Sequence, residues 1–267
     1  MIRSFFNFVR LILVQKNLII SMTKRELTTQ YVGSFLGFVW TFINPLVMVT
    51  VFWFVFSVGF RSKPMNNVPF VVWLTAGLTP WFMFADTVLG SAGTIIANSH
   101  LIKKTVFQSQ ILPIIKLLSC LVTHAIFLAV LLILILFQKM ELSFYFLQFI
   151  YYLFCMSYLA LGIAWAVSAL NVFVRDVGQV AGVIIQVGFW STPIFWDINM
   201  MPEKVRFLIK LNPMFYIVQG YRESFIYFKP FWHHPELTVY FWLVSSLFFL
   251  SGALIFRKLK PQFADVL

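Results

Sequence analysis

Charge is what this chain has least of. Only 11% of its 267 residues are Asp, Glu, Lys or Arg, and the acids number nine. A soluble domain carries about 25% charged residues, so 20 basic and nine acidic side chains cannot coat a water-soluble globule of this length. A soluble enzyme and a disordered tail are excluded. Cysteine is equally sparse: Cys120 and Cys155 both lie in apolar stretches, where they act as small hydrophobes, which excludes a disulfide-stapled module. Catalytic signatures are missing too. The lone Lys-Lys-Thr, Lys103–Thr105, has no glycine ahead of it to form a phosphate-cradling loop, and HExxH, CxxC and GxSxG do not occur. A membrane transferase would group carboxylates or histidines at one interface. Here the acids stand singly, at Glu26, Asp86, Glu141, Asp176, Asp197, Glu203, Glu223, Glu236 and Asp265. His233–His234 beside Glu236 reads as a hydrated loop end, with a metal site as the alternative. No cleavable signal is expected, because Arg10 and Lys16 interrupt the stretch Ser4–Ile20.

What is abundant is apolar: 61% hydrophobic residues, 19% aromatic and a mean hydropathy of +0.88. These values describe an integral membrane protein. A span needs about 20 mostly apolar residues to cross roughly 30 Å of hydrocarbon. Six segments qualify: Phe38–Phe60, Phe70–Leu89, Leu117–Phe137, Phe144–Leu170, Val177–Trp196 and Leu237–Phe256. The expectation is an all-α protein with a single transmembrane domain over residues 1–267.

Six spans put both termini on one side. On that side fall Arg3, Arg10, Lys16, Lys24, Arg25, Lys103, Lys104, Arg175, Arg257, Lys258 and Lys260. The two short loops opposite hold only Arg61, Lys63 and Lys139, and the long segment Asp197–Glu236 adds five more cations. Basic residues concentrate in cytoplasmic loops, so both termini are expected in the cytoplasm. The net charge of +11 then reflects anionic lipid rather than nucleic acid.

Two segments are neither spans nor plain loops. Residues 4–20 mix bulky apolar side chains with Arg10, Gln15 and Lys16, which suits an amphipathic helix in the inner interface. Residues 197–230 scatter Phe207, Leu208, Phe215 and Ile217 among charges and are broken by Pro202, Pro213 and Pro230. Half-helices re-entering the outer leaflet would satisfy such a backbone; a surface loop is the alternative. Asp86, the one acid inside a span, must face a helix interface or a water-filled path. His124 reads as an interhelical hydrogen-bonder, with a proton relay as the alternative. Gly33-x-x-x-Gly37 and Gly178-x-x-x-Gly182 would let helices approach closely. The 33 Phe, nine Trp and nine Tyr face lipid or neighbouring helices, or in part line a path where flat rings meet sugar CH faces.

Local patterns then become recognisable. Lys24-Arg25-Glu26 with Gln30-Tyr31, Ser34-Phe35-Leu36-Gly37 with Trp40, Asn44-Pro45-Leu46, and Gly77-Leu78 with Pro80-Trp81-Phe82 follow one another in order. So do Ala97–Phe107, Asn171-Val172-Phe173-Val174-Arg175-Asp176, Thr192-Pro193-Ile194, Met201–Lys204, Asn212-Pro213, and Lys258-Leu259-Lys260 with Phe263-Ala264. The series resembles permeases of ABC exporters for cell-surface polysaccharides, the Wzm-type O-antigen permeases above the capsule and teichoic-acid types. One departure is Gln108, where the family often has proline after Phe107.

The resemblance implies a homodimer in the bacterial inner membrane with two copies of a separate ABC ATPase that carries ATP and Mg. The permease itself is no enzyme and holds no cofactor. The cargo would be a glycan on undecaprenyl diphosphate, moved to the periplasm. The coupling loop would be residues 98–110, with Asn98, Leu101, Ile102, Lys103, Lys104, Thr105 and Phe107 meeting the ATPase; Arg175 and Asp176 would form the second contact. Lys24, Arg25 and Glu26 would sit near the lipid diphosphate. Pro193, Asp197, Pro202, Glu203, Asn212, Pro213 and Arg222 would shape an outer gate, and Trp40, Phe52, Phe189 and Trp190 the channel wall. The rival classes are a membrane enzyme modifying a lipid-linked glycan and a passive channel or scaffold.

Overall fold

Apolar segments of this length can satisfy their backbone groups only as helices when water is excluded, and helices are what the chain forms. The computed structural model describes residues 10, 12–29, 33–61, 68–104 and 107–267. In chain order the α-helices are α1 (Lys16–Thr29), α2 (Trp40–Trp53), α3 (Phe70–Ala92), α4 (Thr94–Ala97), α5 (Ser99–Lys104) and α6 (Leu112–Phe137). There follow α7 (Phe149–Phe173), α8 (Asp176–Ser191), α9 (Glu203–Lys210), α10 (Pro213–Arg222), α11 (Pro235–Leu259) and α12 (Phe263–Val266). No strand occurs among the described residues.

Five helical stretches are long and apolar enough to cross a bilayer: Gly37–Gly59, Phe70–Ala92, Ser109–Phe137, Phe144–Phe173 and Pro235–Val266. Four of them overrun the limits read from hydropathy, because a helix continues through polar residues until its backbone pattern is broken. The segment expected at Val177–Trp196 behaves differently. Its helix α8 has 16 residues and ends at Ser191, about 24 Å at 1.5 Å per residue. Proline explains the early stop: Pro193 pushes the preceding residue out of the helical region, and Thr192 is extended with ψ 136°.

The buried helix α3 is the hub, packed against α2, α6, α7, α8 and α10. Across it, His124 of α6 joins three elements. Its Nδ1 lies 3.3 Å from the Thr79 carbonyl and its Nε2 3.0 Å from the Tyr221 hydroxyl. With Nδ1–H donating and Nε2 accepting, both ring nitrogens are satisfied. Helices α7 and α11 cross backbone to backbone: a Cβ on Gly252 would fall on the Gly162 carbonyl, and one on Gly162 would lie 2.5 Å from Phe249 Cα. Small residues buried at such a crossing are how membrane helices approach closely.

The two glycine pairs read from sequence do not serve this purpose equally. Gly33 and Gly37 adopt left-handed φ of 81° and 50° in the turn before α2, so they form no helical face. Gly178 does permit a close approach, to Asn171 and Ala92. Of the amphipathic segment 4–20, residues 4–9 and 11 lie outside the described residues, as do Arg3, Gln30, Tyr31, Lys63 and Thr105. The described continuation α1 buries Ile19 and exposes Leu18 and Ile20.

Candidate functional site

Side chains singled out from sequence gather at the two ends of the bundle. At the end bearing α1 and α12, α1 lies against α6. Lys116 of α6 reaches across α3 at Gly90, where any Cβ would occupy the lysine's aliphatic stem, and its ammonium donates to Glu26 Oε1 at 2.9 Å. Around this pair opens a cavity of about 150 Å³ lined by Met22, Arg25, Glu26, Thr29, Asn98 and Lys116 among others. The structure thus brings together Arg25, Glu26 and Asn98 and leaves Lys24 exposed outside the cavity. Lys116, which hydropathy marks only as the edge of a span, is the residue that organises it. Asp86 of α3 lies on the outer surface of this chain, within electrostatic reach of Lys116.

Asn98 separates α4 from α5, and its Nδ2 donates to the Thr94 carbonyl at 2.9 Å. On α5, Leu101 and Ile102 are half-buried and Lys103 is exposed, while the side chain of Lys104 lies outside the described residues. Ile102 and Phe107 pack into a second apolar cluster, built on Ile95, Ile111, Trp165, Phe256 and Phe263. Arg175 and Asp176 are exposed at the start of α8. Their turn is set by Asn171, whose Nδ2 donates to the Ala92 carbonyl (2.9 Å) and whose Oδ1 accepts from Gly178 N–H (3.0 Å). The signal for Asn171 was present in the N-x-F-x-R-D pattern, though not its role.

At the opposite end, Arg222 is buried, and among the described residues no carboxylate forms an ion pair with it. Nη1 donates to the Pro193 carbonyl at 2.7 Å, Nη2 to that of Ile194 at 3.0 Å and Nε to that of Trp73 at 3.4 Å. The Trp73 ring lies 3.4 Å beneath the guanidinium carbon, a cation–π contact. Gly77 makes room, since a Cβ there would sit 2.9 Å from Nη2. A guanidinium keeps its proton when buried, so its charge is met here by the three carbonyls and the ring. Asn212 caps α10, its Oδ1 accepting from Met214 N–H (3.0 Å) and its Nδ2 donating to Thr192 Oγ1 (2.8 Å).

Pro193, Asn212, Pro213 and Arg222 therefore converge on one turn. Asp197, Pro202 and Glu203 do not join it: Asp197 caps the turn Ile198–Met200 through Asn199 N–H at 2.8 Å, and Pro202 and Glu203 open the exposed helix α9. The sequence reading missed Glu223, which is buried and whose Oε1 meets Gln219 Nε2 (3.1 Å) and His234 Nε2 (3.3 Å). His234 thus faces Glu223 rather than Glu236.

The four aromatics named for a channel wall separate into two places. Phe52 and Phe189 meet edge to face at 5.8 Å within a cluster that also takes in Phe195, Phe56 and Trp81. Trp190 contacts that cluster and is 56% exposed. Trp40 lies apart, its indole N–H donating to Ser34 Oγ at 3.0 Å. Along α8 the exposed side chains Gln179, Val183, Gln186 and Trp190 share one stripe at spacings of four, three and four.

Comparison with known proteins supplies the context for both ends. Residues 17–226 match the family model described as ABC-2 type transporter. The chain is 28% identical over 261 residues to the O-antigen export system permease protein RfbA of Klebsiella pneumoniae, covering 94% of this chain and 95% of that one. It is 28% identical over 259 residues to the protein of the same name from Myxococcus xanthus, covering 96% and 98%. The polysialic acid transport protein KpsM of Escherichia coli is 23% identical over 220 residues, 79% of this chain and 82% of the relative.

Proposed function

Because the chain belongs to the ABC-2 type transporter family, as a multi-pass membrane protein, we propose that it is the permease of an exporter for a lipid-linked polysaccharide of the O-antigen class. The observation that carries this reading is likeness along nearly the full length to permeases named for O-antigen export. The substrate is a glycan on undecaprenyl diphosphate, taken from the inner leaflet to the periplasm. Nothing in the sequence can cradle a nucleotide phosphate, so the energy comes from ATP and Mg on a separate ABC subunit.

Six spans make the subunit, with α8 and the turn Thr192–Trp196 together completing the fifth. Both termini lie in the cytoplasm, α1 and the residues before it lie in the inner interface, and α9 and α10 form the re-entrant outer segment. In this orientation α5 and the Arg175–Asp176 turn face the ATPase, and the Arg25–Glu26–Lys116 cavity faces the inner leaflet. The functional unit is a homodimer with two ATPases. Support comes from the exposed stripe on α8 and from exposed Asp86: glutamines and a carboxylate turned toward hydrocarbon are costly, and a second copy around a hydrated path removes that cost. A capsule polysaccharide is the second reading, favoured by a 24% identity over 260 residues to the capsule polysaccharide export inner-membrane protein CtrC of Neisseria meningitidis.

Co-purification with an ABC ATPase, followed by ATP turnover and glycan export, tests the proposal. The wild type is expected to give a two-plus-two complex, and Lys103→Glu/Lys104→Glu to lose turnover or assembly. A permease that captures no ATPase and exports nothing would sink the exporter reading. Analysis of the surface glycan lost on deleting the permease separates O-antigen from capsule.

A further inference from the structure

The residues that follow α11 are tied back to the bundle at several points. Phe263 is completely buried. Its ring meets Phe256 of α11 edge to face at 5.5 Å and lies 6.2 Å from Phe173, two residues before Arg175. Helix α12 also packs against α5 and α7, and the cluster around Phe263 includes Ile102 and Phe107, both within the proposed coupling loop 98–110. Just upstream, the Lys260 ammonium donates to Gln108 Oε1 at 2.8 Å and reaches Gln110 Oε1 at 3.5 Å. The Gln110 carbonyl in turn accepts from the Trp165 indole at 3.1 Å. One buried ring and one ammonium therefore bind both proposed ATPase contacts to the end of α11.

We propose that the C-terminal segment Lys260–Leu267 is a positioning element that makes α5, the Arg175–Asp176 turn and α11 move as one body, so that the ATPase stroke is delivered to the last span. This rests on the exporter reading above. Helix α11 is suited to relay a displacement. It is locked to α7 at the Gly162–Gly252 crossing, and its far end holds the α9–α10 segment. There Thr238 Oγ1 lies 3.0 Å from the Tyr216 hydroxyl, and the Tyr240 hydroxyl donates to the Leu211 carbonyl at 2.7 Å. A contiguous set of contacts is a route for coupling only if breaking it changes coupling.

The test uses the full-length permease with its ATPase in lipid nanodiscs, comparing wild type, Phe263→Ala, Phe263→Leu and Lys260→Gln. The complex is expected to assemble in all four. Phe263→Ala should lower the glycan exported per ATP hydrolysed several-fold and speed hydrogen exchange in residues 99–111, with Phe263→Leu restoring both and Lys260→Gln giving a smaller change of the same kind. An unaltered export-to-ATP ratio in Phe263→Ala overturns the proposal. Should Phe263→Ala fail to accumulate, Lys260→Gln decides, since it removes only a polar clamp: an unchanged ratio there overturns the proposal equally. A wild type that binds no ATPase overturns the exporter reading as well, which distinguishes the two failures.

Discussion

Helices α9 and α10 are neighbours in the chain, each amphipathic, each opened by a proline-containing turn, yet they end in opposite environments. Helix α9, EKVRFLIK, has no buried residue and turns Phe207 and Leu208 outward at 65% and 64% exposure. Helix α10, PMFYIVQGYR, buries Met214 to Val218 and then Gly220, Tyr221 and Arg222. Apolar content alone does not separate them. What separates them is anchorage. Helix α10 is capped by Asn212 onto Thr192, bridged through the Tyr216 hydroxyl to Tyr151 (3.1 Å) and Thr238 (3.0 Å), and pinned at its end by Arg222. Among the described residues, the side-chain hydrogen bond made from within helix α9 is a local one, Arg206 Nε donating to the Met201 carbonyl at 2.7 Å, and only the C-cap Leu211 is held from outside, by the Tyr240 hydroxyl. A buried charge thus marks the half of this segment that is part of the bundle. The exposed half is the one free to meet lipid, glycan or another subunit.

Attacking the anchors should collapse this difference in graded steps. The largest effect is expected from Gly220→Leu, because even a Cβ at Gly220 would occupy the Tyr152 ring. The helix must leave its seat, and purified protein should lose its cooperative thermal transition. Arg222→Ala comes next: three carbonyls lose their donor at about 1–3 kcal/mol each when buried. Its midpoint should fall well below that of Arg222→Lys, which keeps the charge. Asn212→Ala removes an N-cap and should cost about 1 kcal/mol, read as a modest drop in melting temperature with faster exchange of the first α10 amides. Tyr216→Phe breaks two hydroxyl contacts; membrane interhelical hydrogen bonds average about 0.6 kcal/mol, so its shift should be smaller still. Smallest of all, Lys204→Ala on α9 should stay within about 0.5 kcal/mol of wild type. If it destabilised as much as Asn212→Ala, the contrast drawn here would fail.

The cation Lys116 teaches the same lesson at the other end of the bundle. In sequence it stands at the edge of an apolar run. In the fold it is the partner of Glu26, 90 positions earlier, and it reaches that partner only because position 90 is glycine. The resemblance named Arg222 for an outer gate, but nothing in the sequence pointed to its three carbonyl partners, since Trp73 lies 149 positions away. Phe263 read as part of a tail pattern, with no hint that it closes a cluster containing Phe107 and Phe173.

Hydropathy by itself determined that the chain is an all-helical membrane protein, and it located five of the long apolar helices, although Ser109–Phe137 starts eight residues before the expected limit and Pro235–Val266 ends ten beyond it. That follows because backbone groups in hydrocarbon must be satisfied within their own segment, so span placement is a local property. Proline placed the early end of α8 just as locally. Tertiary structure alone decided which short helix is buried, which cations are enclosed and what they touch. Those choices depend on side chains brought together from distant segments, and a buried charge is tolerated only where the fold supplies its partners.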